Sequence, residues 1–108
     1  MKIIRREIPA TIEYEDDDLI AIKDIHPAAP LHLLIIPKKF IPTLNETDED
    51  DALLLGKMIL TAKRIATEKG VADDGYRLVM NVGSGGGQTV FHLHLHLLAG
   101  KNLPTETA

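Results

Sequence analysis

Three histidines alternate with large apolar residues in residues 90–98, VFHLHLHLL. In a β-strand, side chains two residues apart share one face, so His92, His94 and His96 are expected to project together, about 6.6–6.8 Å apart per step. The apolar residues between them would then pack into the core behind. Imidazoles titrate near neutral pH, so one ring can act as a nucleophile while another holds a proton. The pattern predicts a catalytic group of histidines on a rigid strand.

A glycine-rich segment, residues 81–89 (NVGSGGGQT), comes directly before these histidines. Glycines let the backbone approach an anion closely, and successive N–H groups form a concave anion site. Gln88 and Thr89 add two polar side chains. The segment leads into a predicted strand, whereas P-loops and Rossmann turns open a helix. A glycine-rich loop followed by imidazoles favours chemistry at phosphorus.

Two other interpretations of the histidines remain open. They could be hydrogen-bonded polar residues on a half-exposed sheet. They could also bind a metal, because His-x-His on a strand presents two ligands and His32 or Asp24 could supply a third. No acidic cluster lies nearby in sequence to support a metal site. His32, inside the apolar segment LHLLII, is either a core histidine or a fourth imidazole of the site, and His26 is expected to be a solvated loop residue.

The remaining sequence predicts the elements that position these residues. Residues 11–14 and 19–23 form a predicted hairpin around an acidic turn. Two prolines make residues 26–30 irregular, and residues 31–36 form an apolar strand. Further strands are expected at residues 76–82 and 89–98. Strands joined mostly by short turns, with one inserted helix, indicate an α+β fold with an antiparallel sheet.

The one predicted helix runs from about Asp48 to Lys69, with Thr47 and Asp50 at capping-box spacing and Gly70 as its stop. One apolar stripe predicts the face that meets the core: Ala52, Leu55, Ile59, Ala62 and Ala66. A second apolar set indicates either contact with another surface, such as a second subunit, or simply a wide core face: Leu54, Met58 and Ile65.

Composition limits the class of protein. A chain of 108 residues fits one domain, and 44% hydrophobic with 26% charged residues is typical of a folded globular protein. A net charge of −4 without a basic cluster argues against a nucleic-acid partner. The chain has no cysteine, which excludes disulfides and thiolate metal sites. Neither a signal-peptide pattern nor a membrane-spanning run is recognisable, so we expect a cytoplasmic protein without a membrane partner.

The segment HLHLHLL matches His-φ-His-φ-His-φ-φ, where φ is apolar, the pattern of the histidine triad (HIT) superfamily. Together with IIRREIPA, YEDDDLIAIKDIHPAAPLHLLIIPKK and DGYRLVMNVGSGGGQTVFHLHLHLLAGK, it resembles the nucleotide-binding Hint branch over nearly the whole chain. The resemblance implies one HIT domain over residues 1–108. It also implies an α+β fold with about five antiparallel strands and one long helix, paired into a homodimer with a continuous sheet.

The same resemblance implies hydrolysis of purine nucleoside phosphoramidates, such as AMP linked to an amine or to lysine, without a metal or other cofactor. His94 would attack the α-phosphorus and form a nucleotidyl-histidine that water then hydrolyses. His96 would donate or relay the proton, and His92 and His32 would fix the tautomers. Dinucleoside polyphosphate hydrolysis, a metal-dependent hydrolase and a nucleotide-binding scaffold remain alternatives.

Positions of the nucleotide-binding residues also follow from the resemblance. Asp24 would accept hydrogen bonds from the two sugar hydroxyls. Three apolar residues would sandwich the base: Ile22, Ile25 and Leu34. Besides His94 and His96, four residues would hold the phosphate: Asn81, Gly87 through its backbone, Gln88 and Thr89, where serine is common in the family.

Overall fold

A computed structural model describes residues 10–100 and residue 103. Most of the IIRREIPA segment and most of the tail lie outside the described residues. The strands are β1 (Ile12–Glu15), β2 (Leu19–Lys23), β3 (Leu31–Pro37), β4 (Arg77–Val79) and β5 (Leu95–Ala99), and the helix is α1 (Ala52–Glu68). Short 3₁₀ turns occupy Leu44–Glu46, Glu49–Asp51 and Ser84–Gly86.

The five strands form one sheet in the order β1-β2-β3-β5-β4, and all neighbouring pairs are antiparallel. The predicted α+β class, with about five antiparallel strands and one long helix, is confirmed. In the register of β3 and β5, Leu34 lies opposite His96 and His32 lies opposite Leu98. Because opposed and i+2 side chains share a face, His32 and His96 are diagonal neighbours on the same side of the sheet.

The alternation along β3 and β5 divides the apolar residues between two clusters. On one face, Leu33 and Leu97 pack with Met58 and Ile65 of α1 in the main core. On the other face, a smaller cluster contains Ile22, with Leu34 packed against it. Burying one such aliphatic side chain contributes about 1.5–3 kcal/mol. The main core therefore fixes β3 and β5 rigidly, while their opposite face presents His32 and His96.

The start of α1 differs from the prediction. The helix begins at Ala52, after a 3₁₀ turn that Asp48 caps. The Asp48 carboxylate accepts from the Asp50 amide at 2.9 Å, and the Asp51 carboxylate accepts from the Asp48 amide at 3.1 Å. The capping box is therefore Asp48 with Asp51, and the predicted pair Thr47 with Asp50 was wrong. The Thr47 hydroxyl instead donates to the Leu44 carbonyl at 2.7 Å.

The predicted core face of α1 was right for Ala62 and Ala66, which are fully buried, and wrong for its other end. Ile59 is 52% exposed and Ala52 is exposed, whereas Met58 is fully buried and Ile65 is 3% exposed. Members of both apolar sets pack in the main core, so the alternative of a wide core face is confirmed. The two stripes overlap through small residues such as Ala62, and apolar spacing alone did not show which residues of each stripe are buried. Among residues 10–100, no helix is both long enough and apolar enough to cross a membrane.

Candidate active site

Three imidazoles lie together on the open face of the sheet, and we call His32, His94 and His96 the histidine cluster. The His94 and His96 ring centroids are 5.0 Å apart, and those of His32 and His96 are 5.1 Å apart. His32 Nε2 lies 2.9 Å from His96 Nδ1. The diagonal register of β3 and β5 explains the second pair, because it places both rings on one face.

His92 does not join this cluster, so the predicted common face of three histidines was wrong. β5 begins only at Leu95, and the chain before it is irregular rather than pleated. The His92 side chain is buried, at 3% exposure, and its Nε2 lies 2.8 Å from the Pro37 carbonyl. The His92 ring also meets the Phe40 ring edge to face, with the two ring centroids 5.5 Å apart. Burial lowers the pKa of His92, so this ring stays uncharged at neutral pH.

The His94 ring has a defined proton position. Its Nδ1 lies 2.8 Å from the His92 carbonyl oxygen. A carbonyl only accepts hydrogen bonds, so His94 Nδ1 must carry the proton and donate it. In the uncharged ring, Nε2 then holds a free lone pair. The main chain of His92, rather than its side chain, thus orients His94 as a nucleophile.

The proton positions of His32 and His96 follow from a backbone amide. The Ala28 N–H donates to His32 Nδ1 at 3.0 Å, which leaves the proton of uncharged His32 on Nε2. His32 Nε2 then donates to His96 Nδ1, and uncharged His96 keeps its own proton on Nε2. Burial, and then the neighbouring His94 and His32, lower the pKa of His96, which favours this uncharged form.

Asp24 lies beside the histidine cluster. Its Oδ1 accepts from the His26 backbone amide at 2.8 Å, and its Oδ2 lies 3.4 Å from His32 Nε2. Of the residues described, Asp24, His32 and His96 can bring one ligand atom each within 4.8 Å of one another. To bind a metal through Nε2, an uncharged His32 would carry its proton on Nδ1, facing the Ala28 N–H donor. The donor set therefore does not fit a metal.

A cavity of about 430 Å³ opens beside the cluster. One part of its wall is apolar and contains the predicted base-binding residues Ile22, Ile25 and Leu34. The remaining wall contains six further residues that were predicted for the site: Asp24, Asn81, Gly87, Thr89, His94 and His96. Residues from β2, β3, β5 and the glycine-rich loop thus meet around one space. Its volume suits a small ligand rather than a polymer.

Gln88 does not line the cavity, in contrast to its predicted role as a phosphate donor. It is 4% exposed, and its Nε2 donates to the Pro42 carbonyl at 2.7 Å and the Val90 carbonyl at 3.0 Å. Its Oε1 accepts from the Gly83 amide at 2.9 Å. Because both the nitrogen and the oxygen of its side-chain amide are hydrogen-bonded, Gln88 holds the glycine-rich loop in place.

Asn81 and Gly87 lie close together within the same glycine-rich loop. Asn81 Nδ2 donates to the Gly86 carbonyl at 2.8 Å. Gly87 has a φ of +89°, and a Cβ there would lie 3.4 Å from Asn81 Nδ2. Glycine is required at this position because other residues rarely adopt this conformation. The loop therefore presents backbone to the cavity.

Four cavity residues were missed from the sequence: Ala10, Lys23, His26 and Val90. His26 lines the cavity, although it was expected to be a loop residue without a role, and Val90 lines it as a residue that is 46% exposed. The spacing of His26, two residues after Asp24, was an available signal. No comparable signal marked Val90, because its alternation in VFHLHLHLL assumed a strand that is not formed there.

Residues 5–103 match the HIT domain family. The chain therefore belongs to this family, and the resemblance stated from the histidine pattern is confirmed.

Individual relatives agree with this assignment. A purine nucleoside phosphoramidase of Escherichia coli strain K12 is 53% identical over 102 residues, which cover 94% of this chain and 86% of the relative. A HIT family hydrolase from Legionella pneumophila has a similar structure, with a TM-score of 0.94, 52% identity, and coverage of 96% of this chain and 93% of the other. A histidine triad protein from Clostridium difficile gives a TM-score of 0.94 at 42% identity, covering 98% and 92%.

Proposed function

We propose that this protein hydrolyses the P–N bond of purine nucleoside 5′-phosphoramidates, such as AMP linked to an amine or to lysine. The observation that carries the proposal is the fixed position of the ring protons in the histidine cluster. His94 offers a lone pair on Nε2, and the adjacent His96 holds a proton on Nε2. The 53% identity with a purine nucleoside phosphoramidase supports the same substrate class.

The cavity accounts for how such a substrate would bind. The base lies between the apolar side chains of Ile22, Ile25 and Leu34, and the two sugar hydroxyls donate to the Asp24 carboxylate. The α-phosphate lies against the glycine-rich loop beside Gly87 and Thr89, where the Thr89 hydroxyl can donate to it. The Gly87 N–H, predicted as a phosphate donor, instead donates to the Ser84 carbonyl at 3.1 Å. The nucleotide then spans the cavity from its apolar wall to the histidine cluster.

The reaction proceeds in two displacements. His94 Nε2 attacks the phosphorus, and the electron pair of the P–N bond moves to nitrogen, which takes a proton from His96. Water then attacks the nucleotidyl-His94, and AMP is released as the His94–phosphorus bond breaks. Imidazole suits both steps, because it is a good nucleophile when uncharged and a good leaving group once phosphorylated.

The charges around the cavity favour a single phosphoryl group over a polyphosphate. Among the described residues that line the cavity, Lys23 is the one lysine and there is no arginine. Lys23 follows Leu19 and Ala21 in the alternation of β2, which places it on the face of the main core, and its Nζ lies 3.9 Å from Glu13 Oε1. Within the described part of the chain, additional phosphates would therefore find no lysine or arginine side chain directed into the cavity to hold them.

A comparison of substrates tests the proposal. We expect kcat/KM for adenosine 5′-phosphoramidate to exceed that for diadenosine tetraphosphate by at least about tenfold. The release of AMP is measured by chromatography. We expect its rate to be unchanged in EDTA, because the donor set of Asp24, His32 and His96 does not fit a metal. Preference for the polyphosphate would contradict the proposed substrate class, and loss of activity in EDTA with recovery on added zinc would establish the metal-dependent alternative.

We also propose that the protein is a homodimer joined along β4 and one flank of α1. β4 is an edge strand, paired on one side by β5. Lys57 pairs with Asp16 and Asp18 of the turn after β1, which identifies the flank of α1 that lies over β1. Ile59 is two residues, or about 200°, further around the helix, so it lies on the opposite flank towards β4. Its 52% exposure leaves apolar surface beside the outer edge of β4.

A charge at Ile59 tests the dimer. We expect Ile59→Glu to shift the sedimentation of the protein from dimer to monomer, because the buried carboxylate would lack a partner. Leu53→Glu is the matched control, since Leu53 is 85% exposed and lies near Tyr14 on the β1 side. A monomeric wild type, or identical sedimentation of all three proteins, would be evidence against this interface.

A further inference from the structure

The proposed function leaves the source of the leaving-group proton to be explained. In the resting site, His96 Nδ1 accepts from His32, and Nε2 carries the only ring proton. An uncharged imidazole that lost this proton would become an anion, so it is far too weak an acid to protonate an amine. His96 must therefore bind a second proton, on Nδ1, before the amine leaves.

The hydrogen bond between His32 and His96 opposes this second proton. His96 Nδ1 lies 2.9 Å from His32 Nε2, whose own proton points at it. His32 cannot reverse its tautomer, because the Ala28 N–H already occupies Nδ1 at 3.0 Å. Once His96 Nδ1 is protonated, the His32 Nε2–H group needs a different acceptor.

Asp24 is placed to be that acceptor. Its Oδ2 lies 3.4 Å from His32 Nε2, and its Oδ1 is fixed by the His26 amide at 2.8 Å. The side chains of Asp24 and His32 are 19% and 6% exposed, so little water competes for this contact. The Asp24 charge also acts to raise the pKa of His96, against the lowering caused by burial.

We propose that Asp24, besides binding the sugar, is a positioning residue for the proton donor: its carboxylate accepts the His32 Nε2–H bond while His96 carries its second proton. This inference rests on the proposed phosphoramidase function. A carboxylate offers about four lone-pair sites, enough for the His26 amide, His32 Nε2–H and two sugar hydroxyls together. The Asp24 side chain thus contributes both to nucleoside binding and to proton delivery.

The proton balance closes over both displacements. Solvent supplies the second proton of His96, and Nε2–H passes to the amine as the P–N electron pair moves to nitrogen. His96 is then uncharged, with its proton on Nδ1 and a lone pair on Nε2. That lone pair takes a proton from the water that attacks nucleotidyl-His94, and the proton on Nδ1 finally returns to solvent.

Two leaving groups separate this role from sugar binding. Adenosine 5′-phosphoramidate of an alkylamine needs a proton on its leaving nitrogen, whereas adenosine 5′-(4-nitrophenyl phosphate) releases a stable phenolate that needs none. In Asp24→Asn, lost sugar contacts affect both substrates. We expect kcat to fall at least about tenfold further for the phosphoramidate than for the ester. Equal losses in kcat on the two substrates would overturn the proposal.

Controls make the result specific. The wild-type protein with the 2′,3′-dideoxy forms of both substrates measures sugar contacts alone and should show equal losses. His96→Ala should reproduce the selective loss on the phosphoramidate, and Asp24→Ser provides the same comparison if the asparagine variant unfolds in urea too readily to assay. A wild type that releases no AMP from the phosphoramidate contradicts the proposed function itself, whereas turnover by the wild type with equal losses in Asp24→Asn contradicts this inference alone.

Discussion

Replacement of His94 by asparagine is expected to lower kcat/KM for adenosine 5′-phosphoramidate by at least about a thousandfold. An asparagine amide can retain the hydrogen bond that His94 Nδ1 makes with the His92 carbonyl, 2.8 Å away, but it supplies no lone pair in the place of Nε2. The site should therefore keep its shape and lose its nucleophile. Steady-state release of AMP measures the effect, and AMP affinity by calorimetry should change by less than about tenfold.

His26→Asn is the matched control for His94→Asn. Both histidines line the same cavity, but His26 holds Asp24 through its backbone amide, which the substitution keeps. We expect His26→Asn to retain most of its kcat. Comparable turnover by His94→Asn and the wild type would remove His94 from the mechanism, and comparable loss in the two variants would indicate general disturbance of the cavity.

A methyl group at Gly87 is expected to weaken AMP binding by about tenfold to a hundredfold. Gly87 has a φ of +89°, which costs an L-residue about 1–3 kcal/mol, and its new Cβ would lie in contact with Asn81 at 3.4 Å. The loop would relieve the strain by moving its backbone and the Thr89 hydroxyl away from the position of the phosphate. Calorimetric titration of Gly87→Ala with AMP measures the loss.

Gly85→Ala controls for the loss of a glycine from the same loop. Gly85 does not adopt the left-handed backbone conformation that favours glycine, and a Cβ there would meet nothing within 4 Å. We expect Gly85→Ala to bind AMP as the wild type does. Equal affinities of the Gly87→Ala and Gly85→Ala variants would show that the conformation of Gly87 does not determine phosphate binding.

Local sequence rules predicted the elements whose backbone is regular. The hairpin of β1 and β2, the strand β3 and the helix all occur, because turn residues, prolines and apolar periodicity act within a few positions. The helix face was only partly predicted, because α1 carries two overlapping apolar stripes and contact with the sheet decides which residues of each are buried. Met58 and Ile65 pack in that contact, whereas Ile59 does not.

The predicted site depended on a strand that is shorter in the structure. Alternation of apolar residues and histidines suggested pleating from residue 89, but the loop held by Gln88 delays β5 until Leu95. His92 consequently points to the Pro37 carbonyl, and His32 takes the third place in the cluster. Pairing between β3 and β5, which are distant in sequence, fixes that neighbour. Spacing within one segment carries no information about such pairing.

The central claim is that His94 forms a covalent nucleotidyl intermediate. Rapid quenching of wild-type protein during turnover of adenosine 5′-phosphoramidate, followed by mass spectrometry of its peptides, tests this directly. We expect an added mass of one adenylyl group on the peptide containing residues 92–96, with fragment ions that place it on His94, and no adduct in His94→Asn. An adduct on His96 or on another residue, or full turnover by His94→Asn, would contradict the account.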